Sequence, residues 1–236
     1  MVKPYNSGSQ FFNYKHTTSI VLMALVDADY RFIYVDVGSN GRVSDGGVFN
    51  GCTLRQALED ESINFPPPEP LPGDTRPINY FIVADDAFGL KHYLMKPFAI
   101  LNLLFAQRVF NYRLSRARRV VENAFGILAN RFRVFLAPIP LDEGKVEILV
   151  LASCALHNYL REKIGHCYIS QVVDRETGDN HKLKPGAWRK DPQLRQATMP
   201  SSRNPTIFAK ELRNYICTYV NSNIGSVPWQ TAHAFA

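Results

Sequence analysis

Asp85 and Asp86 close a short apolar run, Tyr80-Phe81-Ile82-Val83-Ala84, and Glu122 lies further on in a long helical pattern. A carboxylate at the end of a buried strand and another on a helix packed across that edge can converge on one point. Converging carboxylates repel each other, and a hard divalent cation relieves the repulsion. A pair of Mg²⁺ ions about 3.5–4 Å apart would activate water and stabilise the leaving oxygen of a phosphodiester. The same residues have a plainer use, with Asp85 capping a turn and Glu122 pairing with Arg118 or Arg119 one helical turn earlier. Spacing by itself leaves both uses open.

Next to these acids runs a basic stretch, Asn111-Tyr112-Arg113-Leu114-Ser115-Arg116-Ala117-Arg118-Arg119. Guanidinium forks suit phosphate oxygens, and binding of that kind is salt-dependent. A solvated helix face is the alternative, although few acids flank these positions. Cys154, His157, His166 and Cys167 offer soft ligands, but their C-x-x-H and H-C spacings match no zinc module, and a cysteine in an apolar helix is usually a core residue. Ser44, His92 and the aspartates hint at a hydrolytic triad without the Gly-x-Ser-x-Gly elbow such a triad needs. Gly38-Ser39-Asn40-Gly41 has too few glycines for a phosphate loop.

The elements that must position these residues are legible in outline. Ser19–Val26 and Tyr30–Val37 alternate β-branched and aromatic residues around Asp27-Ala28-Asp29, which predicts a hairpin. Ser44 or Asp45 predicts the cap of a short helix running to about Glu61. The proline-rich stretch from Phe65 to Pro77 predicts a loop. Tyr80–Ala84 predicts a buried strand with acids at its carboxyl end. Leu114, Ala117, Val121, Ala124, Phe125, Leu128 and Phe132 recur at three- and four-residue steps, predicting a helix over about 106–132. A second helix, about 143–163, is apolar nearly all round and is expected to be buried. A last helix is expected over about 206–221. This order predicts an α/β fold, a mixed sheet with flanking helices. Ligands in such folds gather at the carboxyl ends of strands, where Asp85 and Asp86 fall.

The chain has 236 residues, 46% hydrophobic and 20% charged, which suits one large domain or two small ones and excludes collagen, a wholly disordered tail and a disulfide mini-protein. No stretch reaches the roughly 18 apolar residues of a membrane helix, and no secretory signal is visible. Four scattered cysteines read as a reduced, intracellular protein. A net charge of +6 fits a polyanionic partner without requiring one.

In order along the chain come Asn6-Ser7-Gly8-Ser9, Asn13-Tyr14-Lys15, Val26-Asp27-Ala28, Ser44-Asp45-Gly46, Ala84-Asp85-Asp86-Ala87-Phe88, the basic stretch, Val121-Glu122-Asn123-Ala124-Phe125-Gly126 and Leu156-His157-Asn158. The series resembles the DDE domain of PIF/Harbinger transposases and their domesticated nuclease derivatives, over roughly residues 3 to 161. The block Arg118, Glu122, Phe125, Gly126, Leu128 is its most specific part, and the tail Val227-Pro228-Trp229-Gln230 is similar to the ends of such elements.

The resemblance implies an RNase H-like fold and a nuclease that uses Mg²⁺ or Mn²⁺ to hydrolyse DNA phosphodiesters. The family's second catalytic Asp matches Asp85, with Asp86 its nearest competitor, and the family's Glu matches Glu122. The first catalytic Asp sits in an Asp-Gly-x-His strand just before the position of Lys3-Pro4. The chain is therefore expected to be N-terminally truncated, with the first strand missing and a strand edge exposed. Asp45, at a family Ser-Asp position, is a further metal-ligand candidate. Arg113, Arg116, Arg119 and Lys15 are the candidate nucleic-acid contacts. The implied organisation is an incomplete endonuclease domain over 1–164, a weakly ordered polar excursion over 165–205, and a C-terminal helix and tail over 206–236. DNA and a separate Myb-like DNA-binding protein are the implied partners, no membrane is involved, and the implied location is the nucleus, with the cytoplasm a further possibility. A catalytically inactive DNA- or protein-binding remnant is the alternative that the missing Asp motivates.

Overall fold

The structure is a computed structural model, which describes residues 11–13, 17–190 and 204–235. Lys15 lies outside the described residues. The chain divides into two units, with boundaries at Cys52/Thr53 and Arg119/Val120.

The first unit holds the described residues up to Cys52 and those from Val120 to 190. Strands β1 (Ile20–Val26) and β2 (Phe32–Asn40) form the expected antiparallel hairpin. Its turn is built by Asp27, whose Oδ1 accepts the backbone N–H groups of Asp29 and Arg31, both at 2.9 Å. The Asp27 carboxylate also holds the Arg31 guanidinium at 2.8 Å. This side-chain mimicry of a backbone turn is why Asp suits the position. Ser44 caps a short helix α1 (Asp45–Gly51), its Oγ accepting the N–H of Gly47 at 3.3 Å. The single helix expected to about Glu61 is broken at Cys52, whose backbone is extended, and helix α2 (Thr53–Glu59) follows in the other unit. Gly46, Gly47 and Gly51 weaken α1 too much for it to propagate.

The long helix that the apolar repeat predicts over about 106–132 is α3 (Phe105–Arg131), and it crosses the unit boundary. In the first unit, its Ala124 and Leu128 join Phe32, Ile139, Val146, Val150 and Cys154 in one core cluster. Helix α4 (Glu143–Ile164) is capped by Asp142, which accepts the N–H of Lys145, and it ends at Gly165, whose φ of 64° permits the left-handed stop. The expected all-round burial of α4 does not hold. Ile148 is 67% and Tyr159 56% exposed, and Leu151 and Leu156 are open to solvent as well. Only the stripe through Val146, Val150, Ser153, Cys154 and His157 is buried, because burial requires a neighbour and not merely an apolar side chain.

Residues 166–190, within the stretch expected to be weakly ordered, carry helix α5 (His166–Ile169), a small hairpin of β7 (Arg175–Thr177) and β8 (Lys182–Lys184), and a 3₁₀ turn, Ala187–Lys190. Tyr168, Ile169, Val172, Val173 and Trp188 bury themselves with Ile127 of α3 in a second cluster. A few apolar anchors in a polar segment suffice to order it.

The second unit holds Thr53 to Arg119 and the described residues from 204 to 235. The strands β3 (Glu69–Pro70), β4 (Pro77–Ile78), β5 (Ile82–Val83) and β6 (Leu94–Met95) are two residues each, and β5 pairs with β6 in parallel. Among the described residues the strands form four separate two-stranded sheets, where one mixed sheet was expected. Proline in β3 and β4 removes the ladder donors a wider sheet needs. Helix α6 (Ile207–Val220), capped by Thr206, packs Leu212, Ile216 and Val220 with Phe110 and Leu114 of α3, and α7 (Gln230–Ala234) ends the described chain. The α/β class holds, with helices beside short sheets. No helix among the described residues is long and apolar enough to cross a membrane.

Candidate functional site

Asp85 follows β5. Ala84 donates its N–H to Met95 O at 2.8 Å, which carries the parallel pairing to the edge of the acid pair. The Asp85 Oδ1 then accepts the N–H of Ala87 at 2.9 Å, tightening the turn. Its neighbour is differently placed. Asp86 forms a 2.8 Å ion pair with Lys96, whose Nζ also donates to the Asp86 carbonyl at 2.9 Å. The two adjacent carboxylates are thereby distinguished: Asp86 is neutralised by a lysine, and Asp85 serves a turn.

Glu122 stands on α3 in the first unit. Its Oε2 lies 3.4 Å from Nη2 of Arg189. That arginine is anchored elsewhere: its Nε and Nη2 donate to Asp174 at 2.6 to 2.9 Å, in a fork on a carboxylate whose side chain is 0% exposed. Asp174 also accepts the N–H of Gly186 at 2.9 Å. The hydrogen bonds that Asp174 accepts from it, foremost among the causes, raise the pKa of the Arg189 guanidinium above its ordinary value. Beside it Trp188 lies over Gly126, where an added Cβ would come within 2.3 Å of the indole. The buried amide of Asn123 completes the arrangement, its Oδ1 accepting from Trp188 Nε1 at 2.9 Å and from the N–H of Asp174 at 3.0 Å. The glycine and asparagine of the Glu-Asn-Ala-Phe-Gly stretch thus have packing roles around Glu122.

Asp45 is exposed in the first turn of α1. Asp85 belongs to one unit, and Glu122 and Asp45 to the other. Among the described residues no three or more His, Cys, Asp or Glu side chains gather into a group that could hold a metal ion. Hard carboxylate oxygens suit Mg²⁺ or Mn²⁺. The described donor set nevertheless falls short of a metal site, and at Glu122 a guanidinium already supplies the positive charge.

The arginines of α3 are largely engaged with the chain's own tail. Arg113 donates to Gly225 O at 3.2 Å and Gln230 Oε1 at 2.9 Å, and burial, first among the causes, lowers its pKa. Arg116 lies over the Trp229 ring, and Tyr112 stacks on His233. Arg119 is half-buried. Replacing Arg113 with Ala should therefore cost stability, about 1–3 kcal/mol for the stranded acceptors, measured by urea unfolding. An unchanged midpoint with weakened DNA binding would instead make Arg113 a phosphate contact.

Of the Cys–His constellation, Cys154 and His157 resolve into core packing, while His166 and Cys167 are exposed. His157, 0% exposed, donates Nε2–H to Tyr30 O at 2.7 Å and accepts the Tyr168 hydroxyl at Nδ1, 3.2 Å away. Burial, foremost, and Arg161 after it lower its pKa, while the Tyr30 carbonyl opposes them. Burial pushes the Cys154 thiol up to about 11, so it is inert. Since the folded protein resists charging His157 and the unfolded chain does not, stability is full above the ordinary value of 6.5 and falls as pH drops through it. The melting temperature should decline between pH 7 and 5, and His157→Gln should flatten that slope. An equally steep decline in the variant would rule His157 out as the cause.

Asp174, Trp188 and Arg189 were not anticipated from sequence. The one available signal was a Trp-Arg pair isolated in a polar segment.

Residues 2–158 match the family of DDE superfamily endonucleases. A curated relative, protein ALP1-like of Arabidopsis thaliana, is 28% identical over 169 residues, which cover 70% of this chain and 41% of the relative. The chain thus spans about two-fifths of the length of that relative. No solved structure matches. The chain belongs to the DDE superfamily endonucleases.

Proposed function

We propose that this chain is a transposase-derived nuclease domain of the Harbinger type that hydrolyses phosphodiester bonds in DNA, with Asp85 and Glu122 as acids of its catalytic centre. The observation that carries this reading is the family match over residues 2–158, which spans both carboxylates. An RNase H-like arrangement, dependence on Mg²⁺ or Mn²⁺, action in the nucleus and a Myb-like partner protein go with the reading as further proposals. The described residues do not form a metal site as they stand.

What this chain's own groups do is clearer. Lys96 withdraws Asp86 from competition with its neighbour, and Asn123 and Trp188 fix the helix face from which Glu122 projects. The test is nicking of supercoiled plasmid by the purified protein with and without Mn²⁺. Divalent-dependent relaxation of the plasmid supports the proposal, and its absence at high protein concentration overturns it.

A second reading, an inactive DNA- or protein-binding scaffold, is favoured by one observation: Glu122 faces a guanidinium. It predicts duplex affinity that falls steeply with salt, as counterion release demands, and no cleavage.

A further inference from the structure

The chain between Asn64 and Gly73 reads Phe65-Pro66-Pro67-Pro68-Glu69-Pro70-Leu71-Pro72. Each of these residues either is a proline or precedes one. Proline fixes φ at about −65°, and the residue before it is pushed out of the helical region into extended backbone. The segment's own chemistry therefore selects a polyproline II conformation, with three residues per turn and no internal hydrogen bonds. The structure agrees: residues 64–70 are all exposed, and no peptide bond among the described residues is cis. Within the segment only Glu69 and Pro70 enter a strand, pairing with Ile78 and Pro77.

Both ends of the segment are fixed. Phe65 donates its N–H to Ile63 O at 2.8 Å, Tyr80 donates its hydroxyl to Glu69 Oε2 at 3.0 Å, and Tyr219 of α6 donates to the Pro72 carbonyl at 2.8 Å. Beyond Pro72, Asp74 donates its N–H to Leu71 O at 2.8 Å, and its carboxylate accepts the Tyr215 hydroxyl. A segment held in this way has little conformational entropy left to lose on binding. At three residues per turn, Pro67 and Pro70 share one edge and Phe65 and Pro68 the next, and all of them are exposed. The Phe65 ring, 39% exposed, extends the apolar surface of the prolines. The approach from the N-terminal side is acidic, with Asp60 and Glu61 exposed.

We propose that residues 65–72 are a docking segment for a partner protein that reads polyproline II backbone in a groove lined with aromatic rings. The groove takes Pro67 and Pro70, about 9 Å apart, between its rings and seats the Phe65 side chain in an adjoining apolar pocket. Basic residues on its rim meet Asp60 and Glu61. SH3, WW and EVH1 domains are modules of this chemistry. The inference goes beyond the nuclease reading and does not rest on it, since Asp85 and Glu122 lie outside the segment.

The experiment titrates purified SH3, WW and EVH1 domains into the full chain by calorimetry. At least one domain should bind. Phe65→Ala, and Pro67→Ala together with Pro70→Ala, should each weaken that binding about 10-fold or more, the loss expected of anchor residues. Asp60→Asn with Glu61→Gln should weaken it at low salt alone, and parental affinity at low salt would overturn the basic rim. Circular dichroism and the urea midpoint check that each variant keeps the parental fold. A synthetic peptide of residues 63–73 should displace the chain from the domain, a measurement that depends on no variant's folding. Failure of every domain to bind overturns the inference. Binding that survives the Phe65 and proline substitutions, or that the peptide leaves in place, overturns it as well, because the contact then lies elsewhere on the chain.

Discussion

Glu122→Gln should retain less than about 1% of any divalent-dependent plasmid nicking, since even outer partners of a metal ligand are worth 10- to 100-fold. The substitution preserves volume and leaves an amide oxygen that can still accept from Arg189, so the helix and its neighbours should stay in place. What it removes is the negative charge, which is the property a catalytic acid of this family would contribute. Asp85→Asn should act alike, for a matching reason: the asparagine oxygen can still accept the N–H of Ala87, so the turn survives while the charge is lost. Asp86→Asn is the internal control. Asp86 is already paired with Lys96, and its loss should leave nicking near the parental level. A Glu122→Gln protein that nicks as well as its parent, with the same divalent dependence, would remove Glu122 from the chemistry. A large effect at Asp86 and none at Asp85 would reassign the family's second acid.

Trp188→Ala should destabilise the protein by about 3–5 kcal/mol, the usual loss for a buried large aromatic. Trp188 is 6% exposed and is the largest residue of the cluster it shares with Ile127, Tyr168, Ile169, Val172 and Val173. Its indole fills the space above Gly126 and donates to Asn123, so truncation leaves both a cavity and a buried amide oxygen short of a donor. Because the cluster holds residues 166–190 to the first unit, the loss should be local as well as global. Trypsin should cut first after Arg175 or Lys182. Urea unfolding gives the magnitude, and limited proteolysis gives the place. A loss below about 1 kcal/mol, in the range of ordinary surface substitutions, would mean that the segment does not depend on this anchor.

Several elements could be read directly from the chain. The β1–β2 hairpin follows from alternation around an Asp-rich turn, α3 from its apolar repeat and α4 from its long apolar run. These are short-range signals: a periodicity of two or near 3.6, or a cap three residues from its N–H. The family assignment was legible for a related reason, because Ala84-Asp85-Asp86 and the Arg118 to Leu128 block are contiguous and ordered. The exposed stripe on α4 was not legible, since an apolar side chain specifies its preference for burial and not whether a partner surface exists.

Composition and local pattern therefore determined the long helices, the hairpin and the family. Only the tertiary structure decided that Lys96 takes Asp86, that Asn158 of α4 grips Phe32 across 126 positions, and that Arg189 reaches Glu122 across 67. Pairings of that length are selected by which apolar surfaces bury against each other once loop-closure entropy is overcome, and a single Trp in a polar stretch carries almost no local trace of where it will pack.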